Sequence, residues 1–253
     1  MNLSEMTWPA VDKLSRDTPV VIPIAALEQH GRHMPVFTDS LLLGEIIRRV
    51  QHLPVAQQVL FTPLQWLGNS HHHLEMPGTM SAEPRVYLDL LHGMVENFLT
   101  HGFRRIALIN GHGGNTTPSE QTVFELRQKH RSQHDLLLTA LTYWNSADPS
   151  DHIPGLVQRH MGHACEWETS MMLCIQPQLV QGDWTQVAEV PFGDGAAPGY
   201  RGWTMADRSE PGHIGSPAAA TADKGEALLR VFSGGVARFL ERMVAWQGSP
   251  WNL

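Results

Sequence analysis

The chain has 253 residues, of which 42% are hydrophobic, so it can bury a core as one large α/β domain or two small ones. Its formal net charge of -7 with neutral histidine argues against nucleic acid or an anionic membrane as the main partner. Two cysteines make no disulfide framework, no run approaches the roughly 20 apolar residues of a membrane span, and the charged N-terminal stretch is unlike a signal peptide. A reducing, cytoplasmic location is therefore the simplest expectation.

Apolar segments alternate with helical patterns along the chain, and 15 histidines make metal chemistry worth testing. Alternation of this kind predicts an α/β fold, a three-layer α/β/α arrangement in which helices cover both faces of a mostly parallel central sheet. We treat residues 1–253 as a single domain. The predicted strands are residues 20–27, 59–64, 105–110 and 136–143, and the predicted helices start near Asp39, Glu83, Pro118, Ala164 and Gly225. The glycine- and proline-rich residues 182–217 are expected to be irregular.

Metal-ligating side chains crowd directly after the first predicted strand. Glu28 and His30 are two residues apart, so on an extended segment they point the same way. Gly31 and Pro35 turn the chain, and Asp39 can return near this pair. Imidazole nitrogen and carboxylate oxygen together are what a divalent metal prefers. The alternative is a polar surface loop in which Asp39 caps the next helix.

A second cluster, Asn110-Gly111-His112-Gly113-Gly114-Asn115, follows the third predicted strand. Ligands of parallel α/β folds bind beyond the carboxyl ends of the strands, where Glu28, His30 and His112 are all predicted to lie. His112 is therefore a candidate metal ligand. One alternative is a glycine-rich turn with an incidental histidine. A phosphate loop is another, although the lysine of that motif is missing here.

A third cluster begins at His163 and runs to Ser170. On a regular helix His163 and Glu166 share a face and Glu168 points away from it. If His163 precedes the first turn, Glu168 can face the site independently. The alternative is a solvated acidic helix start that complements the helix dipole.

Together these motifs resemble the creatininase (creatinine amidohydrolase) family over about residues 20 to 225. The separated motifs occur in the family's order, which makes the match more specific than any single one. The matching pieces are Glu28-Gln29-His30-Gly31, Asp39, the His112 turn, His163 with Glu168-Thr169-Ser170, Pro77-Gly78-Thr79, the stretch from Gly212 to Pro217, and Lys224-Gly225.

The resemblance implies an α/β/α hydrolase with two divalent metal ions, zinc, manganese or iron, that cleaves a non-peptide C–N bond by metal-bound hydroxide. It implies that Asp39 bridges the metals and that His163 shuttles a proton. Trp144 would stack on the substrate, and the Gly113-Gly114 turn can polarise its carbonyl. The other implied ligands are Glu28 and His112 for one metal, His30 for the other, and Glu168 as the remaining carboxylate, with Glu166 less favoured.

One position departs from creatininase itself, in which a glutamate ligates a metal two residues after the histidine that matches His112. Here that position is Gly114, which puts creatinine in doubt as the substrate. The Gly-Gly form is more similar to relatives such as pyrimidine deformylases and a peptidase that matures a redox-cofactor precursor. The run His71-His72-His73 is either a specificity loop, with His73 towards the substrate, or a plain exposed loop.

The leading interpretation is a metal-dependent amidohydrolase acting on a small cyclic or formylated amide, and the resemblance implies a homo-oligomer, commonly a hexamer. Two interpretations of other classes remain. The first is a metal-binding protein without turnover. The second is an enzyme that binds a nucleotide or sugar phosphate through the glycine-rich turn.

Overall fold

The structure is a computed structural model that describes residues 1–150, 152–193 and 199–248. Its sheet consists of β1 (Val20–Ile24), β2 (Leu60–Phe61), β3 (Arg105–Asn110) and β4 (Leu137–Thr142). The strand order is β2-β1-β3-β4 and all three pairings are parallel, as predicted. β3 matches its predicted range, whereas β1 and β2 end several residues early because the chain leaves the sheet to form the site loops.

Helices cover both faces of this sheet, so the predicted three-layer α/β/α arrangement is confirmed. One face of the sheet packs on α2 (Thr38–Gln51), α5 (Glu166–Ile175) and α7 (Ala222–Ala245). The other face packs on α3 (Pro84–Thr100) and α4 (Thr116–Lys129). The buried side chains of α2 are those at the predicted helical spacing: Leu42, Leu43, Ile46, Ile47 and Val50.

Local signals explain where these helices begin. The Glu83 carboxylate accepts hydrogen bonds from the N–H groups of Arg85 and Val86, and Pro84 occupies the first turn of α3. The Thr221 hydroxyl caps α7 in the same way. Gly225 lets α7 approach α5 closely, because a Cβ at this position would lie 1.9 Å from the Ser170 carbonyl oxygen.

The segment 182–217 is mostly irregular, as predicted, and residues 194–198 of it lie outside the described ranges. It contains one short helix that the sequence pattern did not predict, α6 (Met205–Arg208). A reciprocal pair of hydrogen bonds between Thr204 and Asp207 caps it. The short α1 (Trp8–Asp12) lies near the N-terminus. Among the helices of the described ranges, none has the length and apolar character needed to cross a bilayer.

Candidate metal centre

Two neighbouring strands deliver the first two clusters to one edge of the sheet. β1 and β3 pair in parallel with Ile24 opposite Asn110, so the loops that follow both strands start side by side. Asn110 then fixes the second loop: its Oδ1 accepts from His112 N–H at 2.9 Å and its Nδ2 donates to His112 O at 2.7 Å. The carboxyl ends of the strands thus meet where the sequence analysis expected them.

His112 is buried and has a defined orientation. Its Nε2 lies 3.0 Å from the carbonyl oxygen of Asn69, which can only accept, so this nitrogen carries the proton of the neutral ring. The other nitrogen, Nδ1, faces two carboxylates, at 3.2 Å from Glu28 Oε1 and 3.0 Å from Asp39 Oδ2. A backbone partner on one ring nitrogen and acidic groups on the other are typical of metal-binding histidines.

His30 is oriented in the same way as His112, but the roles of its two ring nitrogens are exchanged. Nδ1 lies 3.1 Å from the Glu28 carbonyl oxygen, which leaves Nε2 facing Asp39 Oδ1 at 3.2 Å and Glu168 Oε1 at 3.6 Å. Asp39 therefore presents one oxygen to His30 and the other to His112. It lies at the start of α2, and its position between two imidazoles is that of a bridging carboxylate.

His163 comes from the third cluster and precedes its helix. Its backbone pairs with Ile214 through two hydrogen bonds of 3.0 and 2.7 Å, and Ala164 then adopts a left-handed φ of 49° before α5 begins. The imidazole Nε2 lies 2.8 Å from the Gln29 carbonyl oxygen, so Nδ1 faces Glu28 Oε1 at 3.5 Å. Each of the three imidazoles thus turns its other ring nitrogen towards at least one of the buried carboxylates of Glu28, Asp39 and Glu168.

The two glutamates of the third cluster go to different places. Glu168 points to His30, as the arrangement with His163 before the first turn allows. Glu166 is fully buried and points away, where it accepts from the N–H groups of Val157 and Gln158 and pairs with Lys224 Nζ at 2.6 Å. Of the two carboxylates, only Glu168 lies at the candidate metal centre.

We refer to the resulting group as the floor cluster: Glu28, His30, Asp39, His112, His163 and Glu168. Within it lie two overlapping sets of three residues close enough to share an ion, namely Glu28 with His30 and His163, and His30 with Asp39 and Glu168. Four buried atoms of the cluster have no hydrogen-bond partner as long as the facing imidazole nitrogens carry no proton: Glu28 Oε2, His30 Nε2, Asp39 Oδ2 and Glu168 Oε2. Buried polar atoms are seldom left unpaired, so these residues fit a metal site.

Electrostatics leads to the same conclusion. An unprotonated imidazole nitrogen and a carboxylate repel at 3 Å unless a positive charge lies between them, either a proton or a metal. In the protein alone that charge is a proton: burial lowers the pKa of His112, but Glu28 and Asp39 outweigh burial and raise it to about 10. Burial also opposes the charged form of His30, yet Asp39 and Glu168 raise its pKa well above its ordinary value.

His163 differs from the other two imidazoles. Burial, together with the neighbouring His30 and His73, lowers the pKa of His163 far below its ordinary value, so this ring is neutral near pH 7. A neutral imidazole with its Nδ1 lone pair facing the site can accept a proton there. The floor cluster thus combines groups that attract cations with one group suited to proton transfer.

The floor cluster lies at the bottom of a cavity of about 900 Å³. All four residues predicted to bind substrate line it: His73, Gly113, Gly114 and Trp144. His73 is buried, with Nδ1 2.7 Å from Gln29 Nε2 and Nε2 3.5 Å from Glu28 Oε2. The plain exposed loop, one alternative for the histidine run, is therefore wrong for His72 and His73; only His71 is exposed.

Gly114 has no room for a side chain. A Cβ there would lie 2.1 Å from the Asn69 carbonyl oxygen and 2.5 Å from His112 Nε2. His72 lies against the same spot, with its Cε1 2.9 Å from that Cβ position. The backbone at Gly114 therefore supports His112 closely, and a glutamate cannot replace the glycine without rearrangement.

Several residues that line this cavity were not among those predicted to bind substrate. His72 stacks near His112, with ring centroids 5.8 Å apart, and meets Trp203 edge-on at 5.1 Å. Phe192, Tyr200, Trp203 and Arg208 come from the segment expected to be irregular, whose lack of periodicity carries no signal of where its side chains point. We call the less buried part of the lining the mouth: Trp144, Phe192, Tyr200, Trp203 and Arg208.

The fold and the cluster define the class of protein: a parallel α/β protein with a buried imidazole–carboxylate site beyond the carboxyl ends of its strands. The chain belongs to the creatininase family, because the model of that family, described as creatinine amidohydrolase, matches residues 4–240. The resemblance inferred from the sequence is thereby confirmed.

Individual relatives cover nearly the whole chain. Creatinine amidohydrolase of Pseudomonas putida is 28% identical over 93% of this chain and 94% of its own length. Mycofactocin precursor peptide peptidase of Mycobacterium tuberculosis is 30% identical over 93% of this chain and 88% of its own length. A crystal structure of creatininase superposes with a TM-score of 0.80 at 25% identity, covering 97% of this chain and 98% of that one. Further solved creatininases include a mutant of Zn-Zn type and a Mn form, with TM-scores of 0.77 and 0.74.

Proposed function

We propose that this protein is a metal-dependent amidohydrolase that binds two divalent cations in the floor cluster and cleaves a C–N bond of a small amide other than a peptide bond. Glu28 and His112 would hold one cation, His30 and Glu168 the other, and Asp39 would bridge them. Zinc, manganese and iron all suit imidazole and carboxylate ligands. The solved relatives of Zn-Zn and Mn type support this proposal.

The observation that carries the proposal is the orientation of the imidazoles. His30, His112 and His163 each direct one ring nitrogen to a backbone carbonyl and the other to buried carboxylates. Three such orientations bring imidazole nitrogens and buried carboxylate oxygens together at one place, which supports the binding of cations there. A non-catalytic metal-binding protein would not need the neutral His163 at the same place.

The residues of the chain can then perform the hydrolysis as follows. A bound pair of cations supplies Lewis acidity and an activated water. His163, held by the Gln29 carbonyl, keeps its Nδ1 free to take a proton at the floor and pass it to the leaving nitrogen. Gly113 and Gly114 begin a short helical turn whose first N–H groups lack partners within the turn, so they can donate to a developing oxyanion.

A second candidate is a peptidase of the same family acting on a short peptide. The cavity volume of about 900 Å³ favours it, because this is at the upper end of the range for drug-sized ligands and leaves room around a small ring. The 30% identical peptide peptidase supports the same candidate. For both candidate functions, the glycine at position 114 argues against creatinine as the substrate.

Metal analysis of protein purified without chelator tests the metal site. We expect about two equivalents per chain, falling below about one in Asp39→Ala, because this substitution removes the shared carboxylate. A wild-type content of one equivalent or none contradicts the proposal.

Product release tests the chemistry. Ammonia, amine or formate is measured from a panel of lactams, formamides and dipeptides. In His163→Ala the rate should fall by about 10²–10⁴-fold while the metal content stays unchanged, as expected for a lost proton-transfer group. A full rate in this variant contradicts the role of His163, and a metal-loaded wild type inert on the whole panel favours the non-catalytic interpretation.

A hexameric assembly and a cytoplasmic location remain part of the proposal, to be checked by light scattering and by cell fractionation.

A further inference from the structure

We propose that the substrate is an amide that carries a free carboxylate, which Arg208 binds at the mouth of the cavity. This inference rests on the proposed function, since it names the substrate class of the same site. It extends that function because the roles assigned so far concern the reacting bond and not the remainder of the substrate.

The charges of the cavity lining are unequally distributed. Among the described lining residues that carry a formal charge, the three acidic ones, Glu28, Asp39 and Glu168, all lie in the floor cluster. Arg208 is the one lysine or arginine of this lining, and it lies at the mouth. A substrate with its amide at the floor would thus meet a cationic group at its other end.

The Arg208 guanidinium has a fixed position. Its Nη2 donates to the Phe192 carbonyl oxygen at 2.7 Å, and its Cζ lies 5.1 Å from the centre of the Trp203 ring. α6 fixes the backbone of Arg208, because Met205 is buried and the Thr204–Asp207 pair caps the helix. A guanidinium has five N–H groups, so the bond to Phe192 leaves others for a ligand.

The acidic residues next to Arg208 in sequence are bound to other groups. Asp207 Oδ2 accepts from Thr204 N–H at 2.9 Å, and Glu210 Oε1 pairs with Arg32 Nη2 at 2.6 Å. Within the described ranges no acidic side chain forms an ion pair with Arg208. A pre-positioned guanidinium that faces a cavity and pairs with none of the described carboxylates is a recognition element for planar anions.

The walls beside Arg208 fit a flat apolar group. Trp144, Phe192 and Trp203 line the same cavity, and Trp203 contacts both Arg208 and His72, which in turn lies next to His112. The cavity of about 900 Å³ accommodates an acylated amino acid with an aromatic or large aliphatic group. Such a compound combines an amide, an apolar body and a carboxylate within one small molecule.

Hippurate (N-benzoylglycine) and its methyl ester are a matched pair of probes, because they differ only in the charge that Arg208 is proposed to bind. Binding to metal-loaded protein is measured by calorimetry, with glycine release followed in parallel. Hippurate should bind roughly 10- to 100-fold more tightly than the ester, the range of a charged hydrogen-bond pair. Equal affinity for the two probes overturns the proposal.

Single substitutions test whether Arg208 causes the preference for hippurate over its methyl ester. In Arg208→Gln the preference for hippurate should disappear while ester binding is unchanged, and Arg208→Lys should retain part of it. Arg131→Gln is the control, since Arg131 is an exposed arginine that does not line the cavity and donates to the Gln128 carbonyl oxygen, and it should behave as wild type. An Arg208→Gln protein that still prefers hippurate would locate the carboxylate on the cations and overturn the proposal.

The same titrations on chelator-treated protein separate this inference from the proposed function. Neither turnover nor contact between metal and carboxylate is possible there, so a preference that depends on Arg208 must persist. Loss of the preference for hippurate after metal removal contradicts the proposed role of Arg208 in binding the carboxylate. If the protein instead holds no metal pair or hydrolyses no amide, the proposed function fails while the Arg208-dependent preference still stands.

Discussion

The floor and the mouth of the cavity are oriented by different kinds of contact. At the floor, three imidazoles are each held by a main-chain carbonyl of a loop that follows a strand or precedes a helix. At the mouth, one main-chain hydrogen bond, from Arg208 to the Phe192 carbonyl, is joined by contacts between side chains: Trp203 touches His72 and Arg208. Backbone contacts depend on the fold as a whole, whereas side-chain contacts change with single substitutions.

This difference suggests that the floor and the mouth have separate functions. A floor built on the backbone preserves one chemistry, because its geometry persists as long as the sheet and its loops fold. A mouth built from side chains of an irregular segment can vary among relatives without disturbing that chemistry. Relatives that share this fold and act on creatinine or on a peptide are consistent with such a division.

The strongest test of the floor compares the two glutamates of α5. Glu168→Gln should lower metal affinity by more than about 100-fold, since even partners outside the ligand set contribute 10- to 100-fold. Glu166→Gln should keep the metals, because Glu166 pairs with Lys224 and two main-chain N–H groups away from the floor. It should destabilise folding instead, by about 1–3 kcal/mol. Metal content after dialysis and urea unfolding measure the two effects, and the opposite pattern contradicts the assignment of Glu168.

Metal uptake should also release protons from the floor. Facing carboxylates outweigh burial and raise the pKa values of His30 and His112, so both rings are charged at pH 7.5 in metal-free protein. Both must be neutral to bind a metal. Zinc binding should thus release about two protons per chain, measured by calorimetry in buffers of different ionisation enthalpy. The apparent affinity should fall as the pH is lowered, and uptake without proton release would contradict the charged state of these imidazoles in the metal-free protein.

The glycines of the His112 turn test how closely the backbone must support the floor. Gly114→Ala should lower metal affinity by about 10- to 100-fold, because its Cβ would displace the Asn69 carbonyl that orients His112. Gly113→Ala is the matched control, since a Cβ there meets no atom within 4 Å. Equal metal affinity for the two variants would show that the close approach at Gly114 is not needed.

Sequence patterns predicted the sheet and half of the floor for a definite physical reason, whereas the places of Asp39, His163 and Glu168 rested on the family resemblance. Buried parallel strands are continuous apolar runs, and the residues just after them necessarily meet at one edge, so the convergence of Glu28, His30 and His112 follows from periodicity. The choice between Glu166 and Glu168 depended on the break at Ala164. A left-handed alanine carries no sequence signal, so the pattern left both glutamates open.

The mouth, apart from Trp144, and the neighbouring histidine run could not be predicted in the same way. His72 and His73 lie in a short helical turn, His71–His73, whose orientation depends on contacts with residues distant in sequence, among them His112 and Trp203. Arg208 lies in a segment without hydrophobic periodicity. The capping pair of Thr204 and Asp207 fixes where α6 starts but does not determine which cavity its last residue faces.

The smallest effect is expected at the junction of floor and mouth, where the histidine run offers its own control. His72→Ala should raise KM by a few-fold and leave metal content unchanged, because His72 contacts the ring of Trp203 and loses mainly dispersion and edge-on aromatic contact, about 0.5–1.5 kcal/mol. His71→Ala, at the exposed end of the same turn, should leave both unchanged. If His72→Ala instead loses metal, His72 acts as a ligand together with Glu28 and His112, whose atoms lie within reach of a shared ion. The floor would then extend one residue further towards the mouth, and the boundary between the two regions would lie at Trp203.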